Sequence, residues 1–147
     1  MKLFKADLHC HTVLSPCGEL EMAPKDIIQR AKEKGLDILA VSDHNSTKHC
    51  ILMEKLAKKE GLFILKGVEF TTKEEIHCLA FFEKNEELAI IQKIIDENLP
   101  DIKNNVDYFG YQVVVDEDED IVEQVERLLL SGLKLSIDEI EKIVHEN

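Results

Sequence analysis

The sequence predicts an α/β domain: a mostly parallel sheet with flanking helices. Two observations carry this. Nearly continuous apolar runs of strand length alternate with segments of helical periodicity, the pattern of a parallel sheet covered on both faces. Several of those runs also end in His, Asp or Glu, at the edge where α/β enzymes build their sites.

Residues 6–11 (ADLHCH) read as a short strand, followed by a Pro- and Gly-containing loop at 15–18. The first helix starts near Pro24, because proline suits the first helical position; Ile27, Ile28 and Ala31 form its apolar stripe and Gly35 supplies the stop. Residues 37–42 form the second strand, 43–48 a polar loop and 52–59 a helix, after which 63–69 give a third strand and 76–82 a fourth. Further helices are predicted at 86–98, at 121–130 and from Ser136, where Ser136 and Glu139 make a capping box; residues 111–115 are predicted as a short strand. The acidic run 116–120 (DEDED) reads as a solvated loop or helix start, since it lacks the spaced ligands and central glycine of a calcium loop. No repeat or low-complexity linker divides the chain, so residues 1–147 are read as a single domain.

Composition narrows the function classes. At 147 residues and 44% hydrophobic content there is room for one core. A formal charge of −12 argues against strong nucleic-acid affinity, which rests on clustered Lys and Arg. It leaves room for a phosphorylated substrate, because a bound divalent cation can reverse the local field. Without a long apolar run or an export signal, the protein is expected to be cytoplasmic, with no membrane partner. Its four cysteines, Cys10, Cys17, Cys50 and Cys78, form no Cys-x-x-Cys pair and read as free thiols.

The candidate chemistry lies at strand ends. Residues two apart on a strand face the same way, so His9 and His11 project together as a metal clamp while Cys10 points to the other face. Two such histidines are also compatible with ordinary hydrogen bonding, and the neighbouring strands tip the balance. The second strand runs into Asp43-His44-Asn45, the third ends in Glu69, and the fourth carries His77 in an otherwise apolar run. Glu69 would be costly to bury without a cation or hydrogen-bond partners. Four successive strands delivering His, Asp or Glu to one sheet edge are hard to attribute to packing. His49 and His145 match no motif.

The segments Asp7-Leu8-His9-Cys10-His11-Thr12 with Ser15, Ala40-Val41-Ser42-Asp43-His44-Asn45 and Gly67-Val68-Glu69 resemble the opening motifs of the PHP (polymerase and histidinol phosphatase) family. The resemblance implies a distorted (β/α)7 TIM-like barrel with a cluster of roughly two or three divalent ions, Zn, Mn or Fe, at its rim. It implies that His9 and His11 bind one metal, that Glu69 bridges metals, and that His44 and His77 bind a second. Asp43 would be the catalytic neighbour, orienting His44 or handling a proton. Cys17 falls where relatives place His or Asp; it reads either as a ligand, favouring zinc, or as a loop thiol.

The implied activity is phosphoester hydrolysis by metal-activated water on a small phosphorylated substrate or nucleotide. The alternatives are a non-catalytic metal-binding or assembly module and a metal-dependent hydrolase of a non-phosphate bond. The family's later ligands are absent, so the chain is expected to be a partial barrel lacking its C-terminal part. An oligomer or partner chain would then complete it.

Overall fold

The computed structural model describes residues 2–146. Four strands form the main sheet, in the spatial order β1 (Ala6–Cys10), β2 (Ile38–Val41), β3 (Phe63–Thr71) and β4 (His77–Phe82). The first three run parallel and β4 returns antiparallel to β3. That reversal has a local cause. Residues 72–76 are too few for a parallel return, which needs a crossover of about a dozen residues. They instead form a tight turn in which the Thr72 N–H donates to the Ile76 carbonyl and the Thr72 hydroxyl accepts the Glu74 and Ile76 N–H groups.

The helices form where the apolar spacing places them. In α1 (Pro24–Glu33), Pro24, Ile27, Ile28 and Ala31 are buried, and Gly35 follows in the left-handed region at φ 65°. In α2 (Cys50–Lys58) the buried face is Cys50, Met53, Leu56 and Ala57. In α3 (Asn85–Asn98) it is Leu88, Ile91 and Ile95, with Glu87 reaching back to the Lys84 N–H. One cluster of buried side chains joins these faces to Leu39, Val41, Ile64, Val68 and Phe70 of the sheet. A one-turn helix, α4 (Val106–Phe109), precedes the last part of the chain. The final helix, α5 (Ile137–Glu146), starts as expected: the Ser136 N–H donates to Glu139 Oε2 at 2.8 Å and the Glu139 N–H to the Ser136 hydroxyl at 3.2 Å.

Two expectations are corrected. Residues 121–130 are not a helix. Residues 121–124 form β6 (Ile121–Gln124), paired antiparallel with β5 (Val113–Val115), and the rest of the segment is irregular. Asp116 drives the hairpin by accepting the Asp118 and Asp120 N–H groups, while Glu119 takes φ 69°. The buried Gln112 side chain then donates to the Val125 and Arg127 carbonyls and accepts the Leu129 N–H. Those groups therefore need no helix to be satisfied. The second correction concerns coverage. β1 is exposed at Ala6 through His9, because it is an edge of an open sheet; among the described residues the sheet does not close into a barrel. Among those residues, too, no helix is long and apolar enough to cross a membrane.

Candidate metal centre

The parallel strands bring their polar ends to one rim. β1 departs from regular pairing between Asp7 and Cys10, and such irregularities re-aim side chains near functional sites. There the His9 and His11 Nε2 atoms lie 2.9 Å apart, and Glu69 Oε2 is 3.0 Å from the first and 2.7 Å from the second. Just past β2, His44 bridges to Glu69 in the parallel direction, with its Nδ1 3.5 Å from Glu69 Oε2. On β4, His77 is the diagonal neighbour of Glu69, and its Nδ1 is 3.0 Å from Glu69 Oε1. The two Glu69 oxygens therefore face different partners: Oε2 meets His9, His11 and His44, while Oε1 meets His77.

The donor set fits a cation better than it fits protons. The three contacts among His9, His11 and Glu69 form a triangle with at most one proton on each Nε2. If both nitrogens donate to Glu69, two N–H groups confront each other; if one donates to the other nitrogen, a lone pair confronts the carboxylate. With Glu69 ionised, as its lowered pKa implies, every proton arrangement leaves one edge repulsive, whereas a cation between them would use all three lone pairs. Ligand bonds of about 2.0–2.2 Å place ligands about this far apart. A second sign is His44 Nδ1, which is buried without a hydrogen-bond partner.

His ring nitrogens, carboxylate oxygens and the Cys17 sulfur make three overlapping groups: His9–His11–Glu69, His44–Glu69–His77 and His11–Cys17–His44, with donors in each within 4.8 Å of one another. Cys17 Sγ lies 2.7 Å from His11 Nδ1. A proton on that Nδ1 leaves the His11 Nε2 lone pair free for the triangle. Gly18 makes this loop feasible: a Cβ there would sit 2.2 Å from the Thr12 carbonyl oxygen.

Electrostatics agree with ligand chemistry. Burial, reinforced by His11, pushes the His44 pKa down to about 4, so its ring stays neutral through the range in which a free histidine titrates. At Glu69 burial raises the pKa, but the hydrogen bond from His9 and the charges of His44 and His11 outweigh it and hold the carboxyl below its usual range. Burial raises the Cys17 thiol. The Cys10 thiol is pushed up to about 12, chiefly by burial; Cys10 and Cys78 pack against the core, as expected.

Asp43 lies behind the rim, hydrogen-bonded to the loop that follows β1. Its carboxylate accepts the Thr12 N–H at 2.7 Å, the Thr12 hydroxyl at 2.8 Å and the Ser15 hydroxyl at 2.7 Å, and the residue is only 2% exposed. It reaches His44 indirectly, because the His44 N–H donates to the Ser15 hydroxyl at 3.1 Å. Asp43 therefore organises the loop beneath the histidines, and none of these hydrogen bonds leads a proton to the rim.

Two residues to which the sequence assigned no role also matter. Asn45, at φ 44°, donates to the Leu129 and Ser131 carbonyls and accepts the Thr71 N–H, clamping the last part of the chain to β3. His49 is fully buried beside Asp43 and Thr12. His49 carries no motif, and for both residues only tertiary placement gives a role. His145 is a surface residue near Glu141.

A sheet rim gathering four imidazoles, a carboxylate and a thiol defines the chain as an α/β domain with a metal-ligand cluster. The chain belongs to the PHP domain family, whose profile matches residues 7–145. It is similar to an uncharacterized protein of Methanocaldococcus jannaschii, 35% identical over 78 residues, which is 48% of this chain and 46% of that protein. It is also similar to a 5'-3' exoribonuclease of Haemophilus influenzae, 34% identical over 68 residues, 46% of this chain and 24% of the enzyme. Among solved structures it resembles a candidate metal-dependent phosphoesterase of Bifidobacterium adolescentis, with TM-score 0.52 and 29% identity over 66% of this chain and 34% of that one. The chain thus spans less than half the length of these relatives.

Proposed function

We propose that this domain is a metal-dependent phosphoesterase acting on a small phosphorylated molecule or nucleotide. The observation that carries the reading is the His9–His11–Glu69 triangle, whose three short contacts suit a shared cation better than any arrangement of protons. His9, His11 and Glu69 Oε2 would hold one divalent ion; His44, His77 and Glu69 Oε1 would hold a second, with Glu69 spanning both. Bound there, Zn, Mn or Fe supplies Lewis-acid polarisation of a phosphoryl oxygen and a water acidic enough to ionise near neutral pH. A proton on His11 Nδ1, the nitrogen that faces Cys17, would leave Nε2 free to bind. His44 stays neutral because it is buried. Asp43 acts as a positioning residue through Thr12 and Ser15.

Phosphate-ester chemistry is supported by the relatives, one a candidate phosphoesterase and one an exoribonuclease. The −12 charge favours small substrates over long nucleic acid. The test is hydrolysis of p-nitrophenyl phosphate and of a mononucleotide with added manganese, zinc or iron, comparing wild type with His9→Ala. Metal-dependent turnover that the variant lacks is the expected result; turnover of an amide or lactone instead would redirect the assignment to a non-phosphate bond. A second reading, a metal-binding assembly module completed by another chain, is favoured by one observation: β1 is an exposed sheet edge. Bound metal without turnover of any of these substrates would select it.

A further inference from the structure

We infer that His49, which carries no metal-binding motif, is a positioning residue that sets the geometry of the metal ligands through a chain of buried hydrogen bonds. The inference rests on the metal-centre reading above and goes beyond it by adding a residue and a route.

The proton positions along the chain follow from donors that admit only one direction. The backbone N–H of Val115 can only donate, and it lies 3.0 Å from His49 Nε2, so that nitrogen is the acceptor. The single proton of the neutral ring then sits on Nδ1, which faces the Thr12 hydroxyl oxygen at 2.7 Å. The Thr12 oxygen accepts it and sends its own proton to Asp43 Oδ2 at 2.8 Å. Asp43 Oδ1 holds the Thr12 N–H and the Ser15 hydroxyl, and Ser15 accepts the His44 N–H. Every group has its partner, and no step can be reversed without leaving a buried donor unmatched.

The two ends of this chain explain its consequence. One end is the backbone of β5, a strand whose own side chains are all valine. The other end is Thr12, which directly follows the ligand His11, and the backbone of the ligand His44. A small apolar cluster of Val13, Val113 and Val115 packs the same two segments together, so the polar chain adds direction to a contact that apolar packing alone leaves free to slide. Thr12, Ser15, Asp43 and His49 are all at most 2% exposed. A displaced His49 would release Thr12 and Asp43 together, and with them the orientation of His11 and His44.

The experiment measures the affinity of the folded, metal-stripped protein for zinc and for manganese by competition with a chromophoric chelator. The variants are His49→Ala, Thr12→Val, the double variant, Thr12→Ser and Ser136→Ala. Ser136 caps α5 through Glu139 and touches neither β5 nor any of the ligands, so its variant reports general destabilisation alone. We expect His49→Ala and Thr12→Val each to weaken metal binding by about tenfold. The double variant should be no weaker than the worse single one, because both break one route. Thr12→Ser, which keeps the hydroxyl, should retain affinity, and Ser136→Ala should lose thermal stability at unchanged metal affinity. Unchanged affinity in folded His49→Ala, additive losses in the double variant, or an equal loss in Ser136→Ala would each overturn the inference while leaving the metal centre intact. No metal bound by wild type would overturn both.

Discussion

Glu69 concentrates the chemistry of this molecule in one side chain: one oxygen meets His9, His11 and His44 and the other meets His77. Glu69→Gln keeps the shape but removes the charge and turns one oxygen into a donor facing imidazole. Metal affinity should fall by more than the roughly 10–100-fold typical of outer-shell changes, measurable by calorimetry. The histidines also predict a pH dependence for the metal-free protein. His44 and His49 are both lowered from 6.5, first by burial, and His44 lies at about 4. Between those values the unfolded chain binds more protons than the folded one, so stability falls as the pH drops from 6.5 toward 4. Glu69, below its usual 4.5, continues the same trend at lower pH. A urea midpoint that stays flat across this range would contradict the burial of both rings. At this scale the sequence speaks through pattern. His9 and His11 are visible because strand geometry pairs residues two apart, and Glu69 because a carboxylate after apolar Val68 needs a reason. His49 is silent, since a single histidine in a polar loop acquires meaning only when Val115 and Thr12 arrive beside it.

At the level of elements, loops do the positioning and their small residues set the tolerance. Gly18→Ala would put a methyl group on the Thr12 carbonyl oxygen, so the 12–18 loop must shift. The expected cost is about 1–3 kcal/mol, read from thermal or urea unfolding, with the Cys17 sulfur displaced from His11. Ser136→Ala removes the cap of α5 and should cost about 1 kcal/mol by the same measurement. α1, α3 and α5 were legible because their stripes and end signals agree with the packing they find. The segment 121–130 was not, because its apolar residues also fit a helical period. The deciding contacts come from Asp116 in the preceding turn and from Gln112, which supplies partners to three backbone groups at once. The direction of β4 was equally hidden in its apolar composition; the shortness of 72–76 was the readable signal.

For the whole molecule, charge and open edge set the behaviour. A net charge of −12 on 147 residues repels itself, and a site rich in imidazole offers a place for positive charge to be added. Divalent metal at about 100 times its dissociation constant should raise stability by about 2.7 kcal/mol, seen as a higher thermal midpoint that a chelator reverses. Among the described residues, the barrel suggested by resemblance is present only as an open four-stranded sheet, with β1 exposed along one side and Leu8 on it half exposed. Apolar periodicity predicts strands, but closure depends on how many strands there are and how they stagger.

The reversal at β4 has a consequence for how the rim is assembled in time. Glu69 and His77 are eight positions apart in the chain and joined by a single turn, whereas His9 reaches Glu69 across sixty. Loop-closure entropy grows with the length of chain that must be gathered, so the hairpin half of the rim is the less expensive to form. The β3–β4 pair can thus come together from nearby residues, while the triangle waits until β1 has docked beside β2. During folding, a metal ion would meet Glu69 and His77 as an early two-residue foothold, and recruitment of the two β1 histidines would report the arrival of the finished sheet.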